Sequence, residues 1–249
     1  MSAFSILRIY LIAFLLFAFS PAVSRAFNLV IDPGHGGSDK GTFRGSFVES
    51  EIVLKIAQKL KADLEERAPA INIFVTRDRQ SFIPLKDRVQ IAHEKNADLF
   101  LSLHANSSTS AQVSGMEYYF SAQKNAPVFL KSKNAETAQT QQAIVAAIQN
   151  DLIEFGKTKQ SLDFSKKIQS VWTSSEFGQK QSRTSKIRRA PFYVIENTQM
   201  PSVLVEVGFI SNQREAKKLV TEVYQNELAH ALSEAVLTFA GDFKEKSDK

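Results

Sequence analysis

The chain has 249 residues, 43% hydrophobic and 23% charged, with a formal net charge of +5 and no cysteine. That length and balance fit one large domain with a full core, and the missing cysteines exclude disulfides and thiolate chemistry, so any metal site must be built from His, Asp and Glu. The charge is mildly basic without a dense basic stripe, which argues against a nucleic-acid partner.

Residues 1–26 follow the pattern of a secretory leader. Arg8 precedes an apolar run from Ile9 to Phe19, followed by Pro21 and small residues ending in Ser24-Arg25-Ala26. Cleavage after Ala26 is expected, leaving residues 27–249 as the mature domain. Losing Arg8 and Arg25 lowers the charge from +5 to +3. The run is shorter than the ~20 residues that cross a bilayer, so no stable membrane anchor is expected after cleavage. Export follows, to the periplasm or cell envelope or beyond the cell.

Residues 28–32 read as a buried strand leading into the glycine-rich "PGHGG". Ser46 to Glu66 reads as a helix, with Ile52, Val53, Ile56, Leu60 and Leu64 on one face. "INIFVT" at 71–76 reads as a strand. Pro84 to Lys95 reads as a helix with Leu85, Val89 and Ala92 inward and Pro84 in its first turn. "ADLFLSLHAN" at 97–106 is apolar at nearly every position, as in a strand buried on both faces. "GMEYYF" at 115–120 is another strand. Residues 134–156 and 161–173 read as two helices split by the polar "GKTKQ". "FYVIE" at 192–196 and "SVLVEVGF" at 202–209 read as strands, and 213–220 and 223–240 as closing helices. Strands alternating with helices predict a single α/β domain, its mostly parallel, twisted sheet flanked by helices on both faces.

In such sheets, sites lie beyond the carboxyl ends of the strands. His35 follows the first strand, His104 ends the strand at 97–106, and Glu206 interrupts the apolar "VLVEVGF". Glu49 and Glu51 sit where the first long helix opens, a position that also favours acids through the helix dipole. A carboxylate inside an apolar strand needs a partner, a retained proton or a cavity; an ion pair with an arginine is the alternative to a site. Two imidazoles and one carboxylate can hold a zinc ion with a position left for water. A further carboxylate with a raised pKa can then move the proton. His93 and His230 lie in helices, away from these motifs, and read as ordinary surface or packing residues.

"IDPGHGGSDKG", "FLSLHANSS", "GMEYYF" and "MPSVLVEVGFISNQREAKKL" together resemble, in order and spacing, the zinc-dependent N-acetylmuramoyl-L-alanine amidases of the bacterial cell wall, the amidase 3 type. The resemblance covers almost all of residues 28–240. It implies one zinc ion held by His35, Glu49 and His104, with Glu206 as the catalytic acid–base. Ser50 stands where the family usually has lysine after its second ligand; aligning "IAQKL" as the helix end favours Glu49 over Glu51, which would point roughly 200° away around the helix. The implied reaction is hydrolysis of the amide between the muramic acid lactyl group and L-alanine of the peptidoglycan stem peptide.

Asn106, beyond His104, is a candidate for substrate binding or for fixing its loop. The basic run "KQSRTSKIRR" supplies Arg183, Lys186, Arg188 and Arg189. Arg188 and Arg189 are the candidates for contact with stem-peptide carboxylates, against a solvated loop as the plainer reading. Asp32 is a candidate acceptor for the far nitrogen of a ligating imidazole, with a salt bridge elsewhere as the competing role. Some family members carry a helical element that blocks the zinc until an activator protein binds; residues 121–160 offer only a modest stretch for one. Peptidoglycan is the expected partner, an activator is admitted, and a monomer is expected. Another zinc peptidase of the wall, or a non-catalytic wall-binding protein of the same fold, are the competing functions.

Overall fold

A computed structural model describes residues 25–121, 138–179 and 185–247. The expected leader therefore lies almost wholly outside the described residues, as do residues 134–137 of the first expected middle helix and Arg183 of the basic run.

The described residues form a six-stranded sheet ordered β4-β1-β5-β8-β6-β7. Its strands are β1 (Phe27–Pro33), β4 (Ile71–Val75), β5 (Leu99–Asn106), β6 (Glu117–Ser121), β7 (Lys186–Ala190) and β8 (Ser202–Phe209). Every neighbouring pair is parallel except β6 against β8. The expected mostly parallel α/β sheet is what the chain forms.

Alternation along the strands separates two cores. On one face, Leu29, Ile31, Leu101, Leu103, Val203 and Val205 join the larger cluster, which draws on three long helices and on Leu219 of a shorter one. The long helices are α1 (Glu49–Arg67), α3 (Ala138–Ser174) and α7 (Glu222–Ser247). On the other face, Val30, Phe100 and Leu204 pack against Val89 and Ala92 of α2 (Leu85–Glu94) and Val194 and Ile195 of α5 (Tyr193–Glu196). A four-residue helix, α4 (Glu176–Gln179), and α6 (Gln213–Leu219) complete the helices. Burial of both faces explains why β5 and β8 read as continuous apolar runs.

Four expectations are corrected. The first helix starts at Glu49, because a two-residue hairpin, β2 (Phe43–Arg44) with β3 (Phe47–Val48), precedes it. Residues 192–196 are not a strand. The edge strand is β7, cut from the basic run, and Pro191 after it has no N–H to extend the ladder; exposed charges suit such an edge. Leu85 is 54% exposed, and Arg88 takes the inward place one turn on. The two middle helices are one 37-residue helix, α3. Gly156 interrupts its propensity by only ~1 kcal/mol. Lys157 beside it is buried and anchors the helix by donating to the carbonyls of Glu196 (3.2 Å) and Thr198. The half of α3 before Lys157 leaves Val145, Ile148, Leu152 and Phe155 exposed. Among the described residues no helix is long and apolar enough to cross a membrane.

Candidate metal centre

Strand register builds the centre. β1 ends one residue before Gly34, whose N–H donates to the Leu103 carbonyl at 2.9 Å, so the loop bearing His35 starts beside His104. His104 of β5 pairs with Glu206 of β8, and Glu206 pairs with Glu117 of β6. The backbone then turns abruptly: His35 has φ 58°, followed by Gly36 at 124° and Gly37 at 60°. A left-handed histidine is uncommon and costs strain that the surroundings must hold. Gly34 serves differently. A Cβ there would lie 2.8 Å from His104 Nδ1 and closer still to Cε1 and Nε2, so its hydrogen makes room for the imidazole.

Glu49, the first residue of α1, reaches both rings. Its Oε1 lies 3.2 Å from His35 Nε2 and 2.9 Å from His104 Nδ1. The same oxygen accepts the Ala105 N–H (3.1 Å), and Oε2 accepts the Thr42 N–H (2.8 Å). One ligand atom from each of His35, Glu49 and His104 lies within 4.8 Å of the others, a set of donors that could hold a metal ion. Glu51, the alternative, is exposed and outside the cluster. Burial opposes a charge on Glu49, but hydrogen bonds from His104 and His35 outweigh it and hold the carboxyl well below the usual range. Burial likewise opposes a charge on His35. The bond and charge of Glu49, with those of Asp39, raise its pKa overall. His35 Nδ1 lies 2.7 Å from Asp39 Oδ2, so Asp39 engages Nδ1 and Nε2 is the ring nitrogen turned toward Glu49.

Glu206 is 9% exposed, and its Oε2 is buried with no hydrogen-bond partner among the described residues. Burial, then the charges of Glu49 and Glu117, push its pKa well above the ordinary carboxylate value. Among the described residues no arginine pairs with it, unlike the plainer reading of an acid in an apolar strand. Glu117 beside it is fully engaged: Oε2 accepts from Asn106 Nδ2 (3.0 Å) and the Tyr119 hydroxyl (2.6 Å), and Oε1 lies 3.3 Å from Arg188 Nε. Asn106 and Arg188 are thus brought to the site's edge through Glu117.

Two candidates lie elsewhere. Asp32 does not face either imidazole. Its Oδ1 accepts from Arg88 (2.7 Å) and Thr76 (2.6 Å) and its Oδ2 from Ser102 (2.8 Å), so the competing salt bridge is its role, and Asp39 is the acceptor for His35. Arg189 alternates to the opposite side of β7 from Arg188 and stacks over Phe120 at 5.1 Å. Glu117 and Asp39 were not singled out from the sequence. Glu117 carries the same signal as Glu206, an acid inside an apolar strand.

Fold and site together define the class: an α/β domain that gathers two imidazoles and a carboxylate at the ends of its strands, donors that could hold a metal ion, beside a separate acid. The sequence profile described as N-acetylmuramoyl-L-alanine amidase matches residues 29–238. The N-acetylmuramoyl-L-alanine amidase AmiA of Escherichia coli (strain K12) is 34% identical over 228 residues, 85% of this chain and 75% of that protein. Among solved structures, the N-acetylmuramoyl-L-alanine amidase from Clostridium difficile 630 superposes with a TM-score of 0.68 at 27% identity, covering 88% of this chain and 98% of that one. AmiC2 of Nostoc punctiforme gives 0.67 at 26% identity, covering 88% and 99%. The chain belongs to the N-acetylmuramoyl-L-alanine amidase family.

Proposed function

We propose that this protein is an exported, zinc-dependent N-acetylmuramoyl-L-alanine amidase that hydrolyses the amide between the lactyl group of muramic acid and L-alanine of the peptidoglycan stem peptide. In this reading residues 1–26 are a cleaved leader and residues 27–249 the catalytic domain. The observation that carries the proposal is the convergence of His35, Glu49 and His104, beside Glu206, whose buried Oε2 meets no donor among the described residues. Nitrogen, nitrogen and carboxylate oxygen are donors suited to zinc. The three reach it from three separate segments, each fixed by its own hydrogen bonds. Family membership supports the amide as the substrate bond.

Bound zinc would polarise the lactyl carbonyl and lower the pKa of an attacking water. The remaining steps belong to the chain. His35 presents Nε2 because Asp39 engages Nδ1. Glu206 takes a proton from the water as its oxygen adds to the lactyl carbon, a transfer favoured by the raised proton affinity of its buried carboxyl. It then gives that proton to the alanine nitrogen as the C–N bond breaks, releasing a lactyl carboxyl and a free α-amine. Asn106 and Arg188, aligned by Glu117, line the edge of this site, where an arginine suits the free carboxylates of the stem peptide.

The test is digestion of purified sacculi with wild type and with Glu206→Ala, read by mass spectrometry. Stem peptides with a free N-terminal alanine, released by wild type and lost with a chelator, are expected. Equal release by Glu206→Ala would remove Glu206 from the mechanism. Cleavage within the peptide would assign a peptidase instead.

A further inference from the structure

Two arginines are almost wholly buried directly behind the metal centre: Arg88 is 1% and Arg77 3% exposed. A buried guanidinium is costly unless its donors are met. Arg88 has a carboxylate partner in Asp32. Arg77 has none. Its hydrogen bonds among the described residues all go to backbone carbonyls: Nε to Pro33 (2.9 Å), Nη2 to Gly34 (2.7 Å) and Ser50 (2.9 Å), and Nη1 to Arg79 (3.1 Å). Burial, then the charge of Arg88, lowers its pKa to about 10, so it remains a cation at neutral pH.

Those carbonyls are informative by their addresses. Gly34 precedes His35, and Ser50 follows Glu49. One nitrogen, Nη2, therefore ties the loop carrying one imidazole to the first turn of the helix carrying the carboxylate. The loop wraps closely around this side chain: a Cβ on Gly36 would fall 2.9 Å from Arg77 Nε. Arg88 completes the hold, donating to the carbonyls of Pro33 (2.8 Å) and His35 (2.6 Å). With both arginines present, the carbonyls of residues 33, 34 and 35 are all met across the turn in which His35 adopts its left-handed φ.

We propose that Arg77 is a positioning residue: its guanidinium sets the spacing of His35 and Glu49 by holding the Gly34 and Ser50 carbonyls together. The inference rests on the reading of those two residues as zinc ligands. Only a planar fork can reach the Pro33, Gly34, Ser50 and Arg79 carbonyls at once. A lysine restores the charge but not the span.

The experiment compares zinc affinity, measured on folded protein against a competing chelator, for wild type, Arg77→Met, Arg77→Lys and Leu64→Ala. Leu64 is fully buried on the same helix as Glu49, four turns further along, so its truncation lowers stability without touching the loop. Loss of a residue that orients ligands typically weakens binding ~10–100-fold. That loss is expected for Arg77→Met, with a smaller loss for Arg77→Lys and little change for Leu64→Ala. Zinc binding by Arg77→Met equal to that of Leu64→Ala would overturn the proposal. Should Arg77→Met not fold, wild-type affinity in Arg77→Lys overturns it. A wild type that binds no zinc overturns both the proposal and the metal reading beneath it, and so is distinguished from failure of the clamp alone.

Discussion

Gly34→Ala is the sharpest test of how closely this centre is packed. Gly34 is not in the positive-φ region, so alanine meets no backbone penalty there. The cost is steric. The new methyl would sit 2.8 Å from His104 Nδ1, against ordinary contact at 3.4 Å or more, and it would be nearer still to Cε1 and Nε2. The imidazole must therefore shift by roughly 1 Å, enough to cost about 10²-fold where reacting groups must be aligned. Overpacking should also lower stability by about 1–3 kcal/mol. Gly45→Ala is the matched control. Gly45 has φ 59°, and a Cβ there meets nothing within 4 Å, so its cost is strain alone, about 1–2 kcal/mol, in the hairpin. The assay is peptide release from sacculi alongside thermal unfolding. Gly34→Ala should lose activity far beyond its loss in Tm, and Gly45→Ala should lose stability with activity kept. Wild-type turnover in Gly34→Ala would refute the contact between Gly34 and the His104 ring as the determinant of that ring's place.

Glu49→Gln should abolish zinc binding by dialysed protein, whereas Glu51→Gln, altering an exposed residue, should bind as wild type does. Glu206→Gln should lower kcat by ~10²–10⁴-fold yet raise stability of the metal-free protein at pH 8. Glu206 has a folded pKa above its unfolded value of 4.5, so stability present below pH 4.5 is lost as pH rises through the folded value. Gln carries no such loss, and urea titrations should find the two proteins converging by about pH 4. Arg188→Ala should raise KM for stem-peptide substrates more than it lowers kcat, while Arg189→Ala, on the opposite side of β7, should leave both unchanged.

Much of the centre was legible because its chemistry depends on residue types that are rare in their settings. A histidine among glycines after an apolar strand, and a glutamate inside another, are anomalies that packing alone does not produce. The family resemblance, through the alignment of "IAQKL" as the helix end, favoured Glu49 over Glu51; in the structure Glu49 lies in the cluster and Glu51 is exposed. What was not legible depended on tertiary contacts. "FYVIE" has strand composition, but its Val194 and Ile195 bury themselves against the second face of the sheet as a helical turn. "GKTKQ" reads as a break, but Lys157 finds buried carbonyls 39 and 41 residues away that keep the helix intact. Asp32 was placed near the right histidine but given the wrong partner, because Arg88 is 56 residues distant in sequence.

The three buried glutamates of the site differ in what their carboxyls touch, and that difference separates their work. Glu49 receives two backbone N–H groups and faces two imidazoles, a setting that holds it charged and fixed. Glu117 receives an amide, a phenol and a guanidinium, which leave it no freedom to reach a reacting atom. Glu206 stands in register beside Glu117, yet its inner oxygen meets no donor among the described residues. In the mechanism proposed above, Glu206 accepts a proton and then releases it, and donors that stabilise only its charged form would oppose the second step. Among these three acids and the described residues, Glu206 is the one with a buried oxygen that meets no donor, as the proposed role asks. The like charges of Glu49 and Glu117 act on it in the same direction as its burial.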